Sequence, residues 1–201
     1  MLKSLYTTKI SKTQTSEVFC LYGDLTNFSK ISKSCPTENV SVNIMKDFYE
    51  LSLRILNNSN GLVLNFPGDG FLCVWDKTCP SQNVILAIQN ITTDVNKLMR
   101  KWKERINEVP VPTTGIKFGA ILAYVTFFVA EDDRILNTFG NELNTGARLQ
   151  QAKENENNNI CISSTAWEWL NSKKGFSDSK EIIIEVKGDK AKAYIVPVFG
   201  L

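Results

Sequence analysis

At 201 residues the chain is long enough for one well-buried core and too short for two comfortable ones. An apolar fraction of 43% with 22% charged residues argues against a disordered tail or a membrane protein, and a formal net charge of +2 gives no footprint for nucleic acid or an acidic membrane. The five cysteines, Cys20, Cys35, Cys73, Cys79 and Cys161, form no CxxC pair and histidine is absent, so zinc and disulfide frameworks are poorly supported. Chemistry in this chain has to run on carboxylates, amides, lysine, arginine or bound substrate.

The polar N-terminus, MLKSLYTTKISKTQTSE, has no apolar signal-peptide core, and no later window approaches a membrane span, which predicts a cytoplasmic protein. Residues 1–16 are rich in Thr, Ser and Lys and read as a flexible arm, leaving 17–201 as the folded domain. VFCLYGDL, Val18 to Leu25, reads as a buried strand ending on an acid, and a turn or short helix follows around Phe28 to Ser34. Thr37 opens a helix carrying Val40, Ile44, Phe48, Leu51 and Ile55 at helical spacing, stopped by Asn60-Gly61.

GLVLNF and FLCVW are two strands joined by Pro67-Gly68-Asp69-Gly70, a hairpin signal. A helix is predicted from about Pro80 to Glu108, before Pro110 and Pro112. GIKFGAILAYVTFFVA is expected to supply two strands, and a helix follows from about Asn141 to Lys153. ICIS, STAWEWLNS, EIIIEVKG and AYIVPV complete the chain as a strand, a short helix and a closing hairpin. The predicted fold class is α+β: a mixed, mainly antiparallel central sheet flanked by helices.

Asp24 and Asp69 each follow an apolar strand beside a small residue, where a backbone can approach a ligand and a carboxylate can reach it. Should their strands be neighbours, two acids converge and suit a hard divalent cation such as Mg²⁺; the alternative is two ordinary turn aspartates. In NTFGNELNTGARLQ, Asn144 and Arg148 stand at i and i+4, so a helix projects them from one face, either as a phosphate-binding and sugar-binding pair or as solvated surface. Lys187, in IEVKGDKAKAY, reads by default as a hairpin-turn lysine.

Taken in order, YGDLTNFSK, GLVLNFPGDGFLCVW, GIKFGAI, FGNELNTGARL and VKG resemble the motifs of the class III nucleotidyl cyclase catalytic domain, over about Val18 to Val198. The resemblance is strongest to stand-alone bacterial pyrimidine cyclases of Pycsar anti-phage defence, and it implies a ferredoxin-like core. It further implies that Asp24 and Asp69, with the Leu25 carbonyl, hold two Mg²⁺ or Mn²⁺ ions, and that backbone amides at Phe28 and Ser29 hold the triphosphate. Asn144 would orient the ribose, Arg148 would stabilise the pentacoordinate phosphate, and Lys187 would hold the terminal phosphates. The family uses a head-to-tail homodimer, in which the aspartates come from one subunit and the Asn, Arg and Lys from the other.

The chain departs from the family at the base-reading positions. Adenylate cyclases place lysine and an aspartate or threonine there, and guanylate cyclases typically glutamate and cysteine; here the residues are Asn65 and Asn137. Amides both donate and accept, so the pair suits a uracil or cytosine edge, and equally a loosely held purine. Asn27 stands in place of a phosphate-loop glycine, and Tyr124, Phe127 and Phe128 add bulk that would favour a smaller base if it faces the pocket.

The resulting expectation is a metal-dependent cyclase converting UTP or CTP to the 3′,5′-cyclic monophosphate and pyrophosphate, as a second messenger in anti-phage defence. The alternatives are an adenylate cyclase with an atypical base pocket and a non-catalytic nucleotide-binding regulatory module. A diguanylate cyclase fits poorly, because its hairpin carries a second acid that this one lacks.

Overall fold

The computed structural model describes residues 9–106, 115–171, 179–186 and 188–198. Among the described residues eight strands and five helices follow one another as β1 (Ile10–Leu25), α1 (Phe28–Ser34), α2 (Glu38–Asn58), β2 (Leu62–Asn65), β3 (Gly70–Asp76), α3 (Ser81–Arg105), β4 (Ile116–Ala130), β5 (Ile135–Phe139), α4 (Leu143–Gln150), β6 (Asn159–Ser163), α5 (Ser164–Asn171), β7 (Lys180–Val186) and β8 (Asp189–Pro197). The sheet runs β2-β3-β1-β4-β6-β8-β7, with β5 paired to β4 beside this path. Its ladders are antiparallel except for β4 with β6.

Alternation along the central strands divides the core. Phe19, Leu21, Phe71, Cys73, Trp75, Phe118 and Ala120 face the layer formed by α2, α3 and α5, joined there by Ile44, Phe48, Ile88, Ile91, Val95 and Trp102. The Trp75 indole N–H donates to the Ser59 carbonyl at 3.0 Å, so a fully buried core indole also ties off the end of α2. Val18, Cys20, Val74, Ile121, Ala123 and Val125 face the opposite side, where Leu149 of α4 and Ile182 of β7 pack. All five cysteines are free.

Three sequence expectations are corrected here. Residues 10–16, read as part of a flexible arm, are strand: β1 begins at Ile10 and pairs with β4 from Ile10↔Ala130 onward. Their side chains are largely exposed, so the hydrophobic alternation that would reveal a strand is missing, and pairing with β4 supplies the order instead. GIKFGAILAYVTFFVA is one strand rather than two, in unbroken register with β1 from Leu25↔Ile116 to Lys12↔Val129. The turn comes later, around Asp133 with φ 60°, where Ala130 N–H donates to the Arg134 carbonyl at 2.8 Å, and β5 is the second strand. The helix predicted over Asn141 to Lys153 is shorter, Leu143–Gln150.

Candidate active site

The β1 and β3 ladder places Asp24 opposite Gly70, one residue beyond Asp69. The tip is stitched to β1, since Leu25 N–H donates to the Asp69 carbonyl at 3.1 Å, and it turns on itself through Gly70 N–H to the Pro67 carbonyl at 3.2 Å. Gly68 has φ 61°, a conformation that favours glycine. A β-carbon on Gly70 would lie 2.6 Å from the Gly23 carbonyl oxygen, so only glycine lets the hairpin come this close to β1. The two strand-end acids therefore converge.

Their proximity has an electrostatic signature. Asp24 is pushed up to about 6 from 3.8, first by burial and then by the negative charge of Asp69, while Lys117 and a hydrogen bond from Gln150 pull the other way. Lys117 is the cross-strand partner of Asp24 on β4, and the Gln150 Nε2 amide donates to Asp24 Oδ2 at 3.1 Å from the end of α4. Among the described residues no group of three or more His, Cys, Asp or Glu side chains is gathered. Two convergent carboxylates that repel one another nevertheless fit a hard divalent ion, which completes its shell with water and phosphate oxygens and removes that repulsion.

Helix α4 has two faces. Asn144 and Arg148, four residues apart, are exposed, whereas Gly146 and Gln150, also four apart, are buried against the sheet. The helix sits so low because glycines meet it from both sides. A β-carbon on Gly119 of β4 would collide with the Gly146 carbonyl and the Gln150 amide, and one on Gly146 would collide with the Tyr22 ring. Tyr22 in turn donates its hydroxyl to the Leu143 carbonyl at 2.6 Å.

A cleft of about 450 Å³ opens between the hairpin and α4, and Asp24, Asn65, Asn137, Asn144 and Gln150 line it. Four of the sequence-predicted site residues thus share one cavity. Asp69 stands beside it on the turn, and Arg148 projects from α4 outside its lining. Phe28 and Ser29 open α1, where first-turn amides have no carbonyl within the helix to bond. Asn27, ahead of them, has φ 60°, which explains why the residue replacing glycine is an asparagine, the side chain that best tolerates the left-handed region. Lys187 lies outside the described residues.

The aromatic bulk of β4 is a correction. Tyr124, Phe127 and Phe128 do not line this cleft: Tyr124 is 63% exposed, and Phe127 borders a separate cavity beside Lys12, Gln14 and Asp133. Three contributors escape the sequence reading. Gln150 and Tyr22 meet the site only through the α4 packing, and Tyr49 of α2 donates its hydroxyl to the Gly68 carbonyl at 2.5 Å while its ring packs tilted against Phe66, centroids 4.4 Å apart. The buried i and i+4 pair Gly146 and Gln150 is a signal in the sequence; the partner of Tyr49 is not.

Comparison with known proteins agrees with this geometry. Residues 10–197 match the family profile described as the adenylate and guanylate cyclase catalytic domain. No curated protein gives a match. Similar solved structures include the adenylyl cyclase CyaB from P. aeruginosa, with TM-score 0.75 and 19% identity over 92% of this chain and 95% of that one. The non-canonical dimeric guanylyl cyclase domain of the RhoGC fusion protein from Blastocladiella emersonii aligns with TM-score 0.69 and 19% identity, over 92% and 98%. The catalytic core of a rhodopsin-guanylyl cyclase with converted specificity, in complex with ATPαS, aligns with TM-score 0.70 and 19% identity, over 92% and 98%. The chain belongs to the adenylate and guanylate cyclase catalytic domain family. No helix among the described residues is long and apolar enough to cross a membrane.

Proposed function

We propose that this chain is a cytoplasmic nucleotidyl cyclase that converts UTP or CTP to the 3′,5′-cyclic monophosphate and pyrophosphate, as an anti-phage second messenger. The observation that carries the substrate assignment is that Asn65 and Asn137, neutral amides at the two base-reading positions, line one cleft with Asp24 and Asn144. A pyrimidine edge offers donors and acceptors that an amide can match, and the two asparagines fit neither the lysine with aspartate or threonine nor the glutamate with cysteine of the purine enzymes resembled here.

In this reading Asp24 and Asp69, with the Leu25 carbonyl, hold Mg²⁺ or Mn²⁺, two ions to a site. When bound, the ions supply Lewis-acid activation of the ribose 3′-hydroxyl and neutralise the leaving pyrophosphate. The side chains do the positioning. Asn144 hydrogen-bonds the ribose so that its 3′-oxygen lies in line with the α-phosphorus, and Arg148 donates a planar fork to the α-phosphate oxygens as their charge rises. Backbone amides of Phe28 and Ser29 and the ammonium of Lys187 hold the terminal phosphates. The new bond joins the 3′-oxygen to the α-phosphorus, the bond to the bridging oxygen breaks, and the hydroxyl proton passes to solvent, so no histidine is needed.

Arg148 is exposed on α4 and lies outside the cleft that Asp24 and Asn144 share, which supports its serving a second subunit in a head-to-tail homodimer. The exposed aromatic rings of Tyr124 and Phe139 suit the same assembly. Incubating purified protein with each of the four NTPs and Mn²⁺, and identifying the product by mass, tests the reading: cyclic UMP or cyclic CMP is expected. Dominant cyclic AMP would move the assignment to an adenylate cyclase with an atypical base pocket. No product from any NTP would leave a non-catalytic nucleotide-binding module.

A further inference from the structure

We infer that Gln150 is a positioning residue for the metal-binding carboxylate, dividing the two oxygens of Asp24 between protein and ion. This rests on the reading of Asp24 as a metal ligand. The Gln150 amide occupies Oδ2 at 3.1 Å. Oδ1 lies on the hairpin side, 3.4 Å from where a β-carbon on Gly70 would be. One oxygen is spoken for, and the other stands beside the turn that carries Asp69.

Gln150 can do this because its own backbone is fixed on both sides. Its amide nitrogen rests against the hydrogen-only face of Gly119, where no β-carbon fits. Its carbonyl accepts a hydrogen bond from Asn155 Nδ2 at 3.0 Å, and that same buried amide donates to the Phe118 carbonyl at 2.8 Å. The side chain is only 5% exposed, so water competes little for its amide. Rigid backbone, a buried donor and an oriented carboxylate form the chain of support that sets metal affinity from behind the ligands. An amide is also the right residue here, because a carboxylate at the same place would face Asp24 as a like charge.

The test is Gln150→Met, which keeps length and apolar stem and removes the donor. Mn²⁺ is titrated into the chelator-treated full chain, and free Mn²⁺ is read by electron paramagnetic resonance. Mn²⁺ binding is expected to weaken about tenfold or more, the usual loss when an outer partner of a metal ligand is removed. The Mn²⁺ concentration for half-maximal turnover should rise in parallel, with the NTP KM at saturating Mn²⁺ held within about twofold. A packing role alone would lower the melting temperature and kcat without moving the Mn²⁺ curve, and that result overturns the inference. Should Gln150→Met fail to fold, Gln150→Asn, one methylene too short to reach Oδ2, is expected to give the same shift. Wild-type protein that binds no Mn²⁺ would overturn the metal reading of Asp24 and this inference with it, whereas tight binding by both proteins overturns this inference alone.

Discussion

Gly146→Ala is the most discriminating single change. In a helix, replacing glycine by alanine ordinarily stabilises by about 1 kcal/mol, because alanine costs the unfolded chain less entropy. Here the added β-carbon would overlap the Tyr22 ring, coming 2.6 Å from Cδ2, and the ring cannot swing away without giving up its hydroxyl bond to Leu143. Overpacking of a tethered ring costs about 3 kcal/mol, at the upper end of its usual range. The net is a loss of about 2 kcal/mol, or about 4–8 °C in a chain of this size. Turnover should fall by about tenfold or more, because lifting α4 displaces Asn144, Arg148 and Gln150 together. The assay is thermal unfolding in chelator beside a cyclase assay, with Tyr22→Ala/Gly146→Ala as the control that restores room and recovers part of the stability. A Gly146→Ala protein as stable as the wild type would refute the packing argument.

The other predictions address the carboxylates, the hairpin and the assembly. In chelator, Asp24→Asn should raise stability at pH 8 but not at pH 4. The folded carboxyl titrates near 6 against 3.8 unfolded, so the folded state binds more protons between those values, and stability present below about pH 4 is lost as pH rises through 6. Taken in full that difference is about 3 kcal/mol; half-exposure and screening reduce it to about 1 kcal/mol, a rise of about 2–4 °C, and equal melting of the two proteins at pH 8 would contradict it. Tyr49→Phe removes the bond to the Gly68 carbonyl and should cost about 1 kcal/mol while raising the Mn²⁺ requirement, measured by melting and metal titration. Asp69→Ala and Arg148→Ala should each be inactive alone, yet recover about a quarter of wild-type activity when mixed, since half the dimers are hybrids with one intact site. No recovery would exclude sites shared between subunits.

Much of the candidate site is legible in the sequence because it lies on local signals. Pro67-Gly68-Asp69-Gly70 declares a turn, and Asn144 and Arg148 declare a helix face, without knowledge of anything distant. The strand boundaries that were misread depend on partners: residues 10–16 are ordered by β4, more than a hundred positions away, and their exposed side chains leave no alternation to read. The aromatic side chains of β4 fail for a related reason. Composition gives their bulk but not their direction, and a strand sends neighbouring residues to opposite faces. Gln150 and Tyr49 act through contacts made only after α4 and α2 dock, so their chemistry is written in the tertiary structure alone.

The sixteen-residue β1 has a mechanical consequence. Asp24 sits near one end of a strand whose other end, at Ile10, is bonded to β4 along nearly its whole length. Tension applied along that strand loads its transverse hydrogen bonds in shear, all at once, instead of peeling them one at a time. A load attached at the Ile10 end is therefore borne by the ladder before it reaches the carboxylate, and the Asp24 end stays anchored while the distal end is pulled.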